Sequence, residues 1–157
     1  MQVTIRTCCP EDLEILRQLT IEAFEGVTLE QNIEQALGIL AGHDWKWRKA
    51  RHVDDDAASW PGGLFVAESD GMVVGYISTR IDRASGKGRI PNLVVSADFR
   101  GRGLGRRLIE HALEYFRSAG LEWAAIETME QNAVGNHLYR SCGFQEIARQ
   151  IHFARRL

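Results

Sequence analysis

The chain has 157 residues, enough for one domain around one core. Apolar residues make up 45% and charged residues 25%, the profile of a soluble globular protein, and a formal net charge of -2 gives no global basic field for nucleic acid. No apolar run is long enough to span a membrane, and the N-terminus MQVTIRTCCPEDL lacks the apolar core of a signal peptide. Three cysteines, two of them adjacent (Cys8 and Cys9), make no disulfide framework, so a reducing cytoplasm is expected. No Cys/His spacing matches a zinc site, and no metal is expected.

Val3 to Arg6 alternates like a strand. Pro10, Glu11 and Asp12 read as a helix start, followed by Leu13, Leu16, Leu19 and Phe24 at roughly helical spacing. Leu29, Ile33, Ala36, Leu37 and Leu40 form a second amphipathic stripe. Residues 43 to 60 combine tryptophans, cations and the run Asp54 to Asp56, and read as helix or long loop. After the break at Pro61-Gly62-Gly63, two strands are expected, Leu64 to Glu68 and Met72 to Arg80, joined by a hairpin at Ser69-Asp70-Gly71. Ser85-Gly86-Lys87-Gly88 marks a second hairpin leading to a strand from Arg89 to Val95. A helix is expected from near Gly103 to Ala119, a strand from Trp123 to Thr128, and a helix capped by Asn132 that ends at Gly143. Phe144 to Leu157 reads mostly as strand. There is no internal repeat or linker, and the order indicates one mixed α/β domain over 1–157.

The most informative stretch is Arg100-Gly101-Arg102-Gly103-Leu104-Gly105-Arg106-Arg107. A helix N-terminus carries free N–H groups and partial positive charge, so it normally attracts acids and hydroxyls. Cations and glycines stand there instead. A bound polyanion removes the conflict: glycines let the backbone approach phosphate, N–H groups donate to it, and arginines neutralise it. The local basic cluster favours a small anionic ligand. The third glycine comes one residue too early for a dinucleotide fingerprint, and the Gly-Lys-Ser/Thr of a P-loop is absent. A flexible glycine loop with solvated arginines is the plainer alternative.

Arg100-Gly101-Arg102-Gly103-Leu104-Gly105 resembles the R/Q-x-x-G-x-G/A motif of the GNAT superfamily of acetyl-CoA-dependent N-acetyltransferases. Downstream, Asn132 to Phe144 is similar to that family's N-x-x-A-x-x-L-Y-x-x-x-G-F pattern, with Gly135 where alanine is usual. The resemblance covers residues 64 to 157 well, the acetyl-CoA-binding half. Residues 1 to 60 fit the variable, acceptor-side half. It implies a mixed central sheet of six or seven strands with about four helices, in which two parallel strands splay to form the cofactor cleft.

Further expectations follow from the resemblance. Acetyl-CoA is the co-substrate. Its pyrophosphate is expected on Arg100, Gly101, Arg102, Gly103, Leu104, Gly105 and Arg106, and its pantetheine on Leu93, Val94 and Val95, with Asn132 and Tyr139 also at the cofactor. A freed N–H near Leu93 would polarise the thioester carbonyl. Tyr139 matches the general acid that protonates the leaving thiolate, although periodicity alone reads it as a half-buried aromatic. Glu127 is the candidate base for the amine, and reads equally as a solvated or ion-paired strand carboxylate. Histone-type relatives place a glutamate where this chain has Arg89, and Asn92 can order a water but not take a proton. Trp45, Trp47, Trp60 and Asp54 to Asp56 are candidates for an acceptor pocket, against the plainer reading of core aromatics and a solvated acidic run. The expected reaction is acetyl transfer to a primary amine of a small molecule by direct attack through a tetrahedral intermediate. A protein N-terminal acetyltransferase of the ribosomal-protein alanine type and a non-catalytic acetyl-CoA-binding module are the alternatives. No nucleic acid or membrane partner is expected, and the oligomeric state is left open between monomer and homodimer.

Overall fold

A computed structural model describes residues 2–157. Five α-helices and seven strands follow one another as β1 (Val3–Thr7), α1 (Leu13–Phe24), α2 (Leu29–Leu37), α3 (Trp45–Ser59), β2 (Leu64–Ser69), β3 (Met72–Ser78), β4 (Arg80–Asp82), β5 (Lys87–Ile90), β6 (Leu93–Val95), α4 (Leu104–Ser118), β7 (Trp123–Ile126) and α5 (Ala133–Ser141). The helices number five rather than about four because residues 45–59 form a full helix. Asp44 caps it, its carboxylate accepting from the Trp47 N–H at 2.9 Å. Its buried stripe is Trp45, Lys49, Val53 and Asp56, spaced to lie on one face. Two of those four are charged, which is why hydropathy alone left the segment open between helix and loop.

The expected central sheet is divided in two. β1, β2, β3 and β6 form an antiparallel sheet in that spatial order, and β4, β5 and β7 form a second, mixed sheet, with β4 and β5 antiparallel and β5 and β7 parallel. Asp70 and Gly71 both adopt positive φ, 50° and 76°, making the two-residue hairpin between β2 and β3. Two expected strands are broken. Met72 to Arg80 breaks at Thr79, whose hydroxyl donates to the Gly63 carbonyl at 2.7 Å. Arg89 to Val95 breaks at Pro91-Asn92, so its first half belongs to one sheet and its second half to the other. Proline lacks the N–H that would continue the ladder.

Two apolar clusters flank the strands. Leu16, Leu19, Val53, Leu64, Val66, Tyr76 and Val94 pack under α1 and α3. Phe65, Ala67, Ile77, Ile90, Leu104, Leu108, Ile109, Ala112 and Phe116 pack under α4. Gly88 marks how tightly α4 lies on β5, since a Cβ there would stand 2.4 Å from the Phe116 ring.

The C-terminal segment corrects the sequence reading. Residues 145–157 contain no strand, make no backbone–backbone hydrogen bond among the described residues, and are exposed throughout. A strand exists only with a partner for its N–H and C=O groups. Here the segment is held by side chains instead. Arg149 pairs with Glu130 at 2.9 Å, and Arg156 donates to the carbonyls of Leu37 and Ile39 at 2.9 and 3.0 Å, at the end of α2.

Candidate active site

The break at Pro91-Asn92 opens the site. Ser78 N–H donates to the Asn92 carbonyl, Val94 is paired with Tyr76, and Ser96 N–H donates to the Val74 carbonyl. Residues 92, 94 and 96 therefore turn their backbone toward β3. By alternation Leu93 and Val95 turn theirs the other way. On that side β6 has no strand partner among the described residues, because β7 pairs only with β5 and ends at Ile126. The result is a gap between two diverging strands into which Leu93 and Val95 present backbone groups. Val94, between them, is committed to β3 and to the core.

The Gly/Arg loop follows. Gly101 and Gly103 take positive φ, 70° and 77°, a conformation that a side chain disfavours. The Arg100 N–H is used by the Ala97 carbonyl, and the first bond into α4 is from Arg107 to Gly103. The N–H groups of Gly101 to Arg106 have no backbone or side-chain acceptor among the described residues. Gly105 sits where a Cβ would be 3.0 Å from Leu138, so α4 and α5 pack closely beside the loop. The arginines divide their work. Arg106 donates to the Ser141 carbonyl and hydroxyl at 3.1 and 2.9 Å, Arg107 to the Val3 carbonyl at 2.7 Å, and Arg100 to the Val95 carbonyl at 3.2 Å. Arg102 lies over the Phe99 ring.

Tyr139 packs on the same apolar cluster as Leu93 and Val95, edge-on to Phe144. Its hydroxyl makes no hydrogen bond among the described residues, and burial pushes its pKa up to about 12, so the phenol keeps its proton. Asn132 caps α5, its carbonyl accepting from the Gly135 N–H at 3.1 Å while its amide donates to the Thr128 hydroxyl at 2.8 Å. Glu127 lies just beyond β7 on the face opposite Ile126. The Arg89 guanidinium grips it through two bonds of 3.0 and 2.9 Å and holds its carboxyl below the usual range.

Behind the break lies a polar cluster of which the sequence reading saw only parts. Asn92 is buried, its carbonyl oxygen accepting from Lys49 Nζ at 2.8 Å and its amide donating to Asp56 at 2.7 Å. Its side chain thereby joins Lys49 to Asp56. Lys49 also meets His52 Nδ1 at 3.2 Å and lies over the Phe24 ring at 3.9 Å. Burial drives its pKa down to about 8, partly offset by Asp56 and Glu30. A lysine and an aspartate on the buried stripe of a helix, seven residues apart, were the available signal. The tryptophans and acids of residues 43–60 do not assemble into one pocket. Trp45 is core, Trp60 donates to the Tyr115 hydroxyl, Trp47 stacks on His43, and Asp54 pairs with Arg17.

The profile described as the acetyltransferase (GNAT) family matches residues 20–144. The chain belongs to that family. A mycothiol acetyltransferase of Tsukamurella paurometabola is 31% identical over 119 residues, which is 69% of this chain but 41% of that protein. This chain therefore spans less than half of that relative's length. Among solved structures, a PaiA N-acetyltransferase from Thermoplasma acidophilum in complex with coenzyme A superposes with a TM-score of 0.74 at 21% identity, covering 92% of this chain and 91% of that one. An AAC(6')-Iy structure with a CoA bisubstrate analogue gives a TM-score of 0.66 at 21% identity, with full coverage of both chains. The fold is the α/β GNAT fold.

Lys49 makes a testable mark on stability. Its folded pKa lies below the unfolded value, so between about 8 and 10.5 the unfolded chain holds a proton that the folded chain has released. Stability then rises with pH across that window, and the penalty is fully present below it. Urea unfolding of wild type and Lys49→Met at both ends of the window should show wild type gaining on the variant by up to about 3 kcal/mol. A difference independent of pH would show that Lys49 titrates as an exposed lysine does.

Proposed function

We propose that the chain is an acetyl-CoA-dependent N-acetyltransferase acting on a primary amine of a small molecule. One observation carries this reading. A run of unpaired N–H groups, Gly101 to Arg106, opens beside a parted pair of strands whose open edge carries Leu93 and Val95, with the Val95 carbonyl accepting from Arg100. That combination fits a ligand with a pyrophosphate at one end and an amide-bearing arm at the other. Acetyl-CoA supplies the thioester to be attacked. The loop N–H groups hold its phosphates, with Arg102 nearby, and Leu93 and Val95 hold the pantetheine. The Leu93 N–H is a fixed donor for the charge that develops on the thioester oxygen. Small-molecule acceptors are in keeping with the mycothiol and AAC(6')-Iy enzymes among the similar proteins.

Tyr139 is proposed as the proton donor to the departing thiolate. Its phenol is protonated near neutrality, unbonded, and packed on the same apolar cluster as Leu93 and Val95. Glu127 is proposed to take the amine's proton, directly or through water. Arg89 keeps that carboxylate ionised and ready to accept, while weakening it as a base.

Transfer is tested by following free thiol release from acetyl-CoA across an amine panel, and cofactor binding by calorimetry with CoA. Gly103→Glu places bulk and negative charge at a positive-φ position of the loop and should weaken CoA on the order of tenfold or more. Unaltered affinity in a folded variant sinks the cradle.

Tyr139→Phe keeps the ring and removes the donor. Its kcat should fall by on the order of 10² to 10⁴ with CoA affinity nearly unchanged. Full turnover, with chemistry rate-limiting, would give the role to water or another group.

Glu127→Gln should lower kcat/KM most at neutral pH, where the amine is protonated and needs a base. The deficit should shrink at alkaline pH. A deficit that is flat with pH would leave Glu127 as a structural partner of Arg89.

A further inference from the structure

On the face of the second sheet that looks toward α3, Arg80 on β4 stands directly opposite Arg89 on β5. Like charges across a ladder repel, so each arginine is kept by a carboxylate on its outer side. Arg80 Nη2 reaches Asp56 at 3.3 Å, and Arg89 grips Glu127 with two bonds. The row reads Asp56, Arg80, Arg89, Glu127 from the helix to the edge strand. Its two halves are unequal. Arg89 spends Nε and Nη2 on good bonds. Arg80 has one long contact, and its Nε is buried with no acceptor. A buried guanidinium N–H left unpaired is costly, and its presence calls for a partner that is not a protein atom.

Nε itself is shielded from solvent, so a ligand meets Arg80 through the part of its side chain that stays open. The Arg80 and Arg89 side chains are 40% and 37% exposed, whereas Asp56 behind them is 4% exposed and does not reach the open side. Beside Arg89 in register on β7 is Ala125, whose short side chain leaves room above the sheet. Glu127 stands at the far end of the same face, at the lip of the gap lined by Leu93 and Val95.

We propose that Arg80 and Arg89 form a subsite for a carboxylate carried by the amine acceptor, which makes the acceptor class an amino acid or closely related amino-carboxylate. This rests on the N-acetyltransferase reading above and narrows it. The planar Arg80 guanidinium can meet the oxygens of a carboxylate, while Arg89, whose Nε and Nη2 are held by Glu127, adds its charge and its remaining Nη1. Charge favours a monoanion. Lys49, Arg80 and Arg89, with Arg48, against Asp56, Glu127 and Glu30 leave one positive charge, which one carboxylate neutralises and a doubly charged phosphate would overshoot. The neighbouring pair Asp82 and Lys87 cancels. The acceptor's ammonium end then falls toward Glu127, where the proton is to be lost.

The test compares an amino acid with the amino alcohol of the same chain length, whose amine has a similar basicity but no carboxylate. Wild type should prefer the amino acid in kcat/KM by on the order of 10- to 100-fold. Arg80→Gln should bring that ratio near unity, chiefly through KM, and Arg80→Lys should restore part of it. Asp56 keeps its 2.7 Å bond from Asn92 in these variants, so the change stays local. Equal use of the two acceptors by wild type, or a preference that survives in Arg80→Gln, overturns the subsite. Calorimetry with the N-acetyl amino acid in the presence of CoA reads the subsite without turnover. If CoA binds but no amine is acetylated, the enzyme reading fails by itself. Binding of the N-acetyl amino acid that is lost in Arg80→Gln then still supports the subsite, and binding unaltered by the substitution overturns it.

Discussion

The site depends on the two-residue interruption at Pro91-Asn92. A strand that simply continued would place β5 and β6 in one ladder and pair both edges along their length. Pro91 has no N–H to give, and Asn92 is withdrawn into a buried cluster in which its side chain joins Lys49 to Asp56. Its backbone meanwhile is met by the Ser78 N–H and hydroxyl at 2.9 Å each. The backbone N–H and carbonyl of Asn92 and both ends of its side-chain amide are thus bonded to protein, so the interruption is stable in a place where unpaired backbone would be costly. Among the described residues, what no strand pairs is the far side of β6, and there its backbone groups face the gap, with only the Val95 carbonyl taken up, by Arg100. Fully bonded structure behind the strand is what permits open backbone in front of it.

The start of α4 shows the complementary arrangement. Its N–H groups are left free while three of the four arginines are tied by hydrogen bonds to other parts of the molecule. Arg106 reaches α5, Arg107 reaches β1, and Arg100 reaches back to β6. The cations therefore brace the loop between a helix and two strands as well as setting its potential. A loop held this way presents its N–H groups with less ordering to be done on binding, which is the physical meaning of preorganisation.

Electrostatic inequality runs along the second sheet. Glu127 and Arg89 are fully matched, with the carboxyl held down and the guanidinium held charged by the same two bonds. Lys49 is the opposite case, a cation whose burial outweighs the attraction of Asp56 and Glu30. The sheet face between them holds two arginines in register, one satisfied and one not. Such differences between neighbouring charges are what a surface needs in order to bind an ion at one end and lose a proton at the other.

The sequence by itself determined the family, the loop and the two motif helices. Gly101, Gly103 and Gly105 among arginines, and Asn132 through Phe144, are local patterns whose meaning lies in turn geometry and capping, which neighbours in the chain decide. It also set Glu127 opposite the apolar face that carries Ile126, because strand alternation is local. Tertiary structure decided the rest. Residues 45–59 were obscured as a helix because Lys49 and Asp56 are buried as partners of Asn92, a residue some forty positions away. Glu127 acquired its ion pair from Arg89 on another strand. The segment after Phe144 has an apolar content typical of strands, yet pairing requires a second strand, and only the folded chain shows that none is supplied by the described residues. Patterns that depend on adjacent residues are written in the sequence, whereas hydrogen-bond partners and neighbouring charges are set by which distant residues the fold brings together.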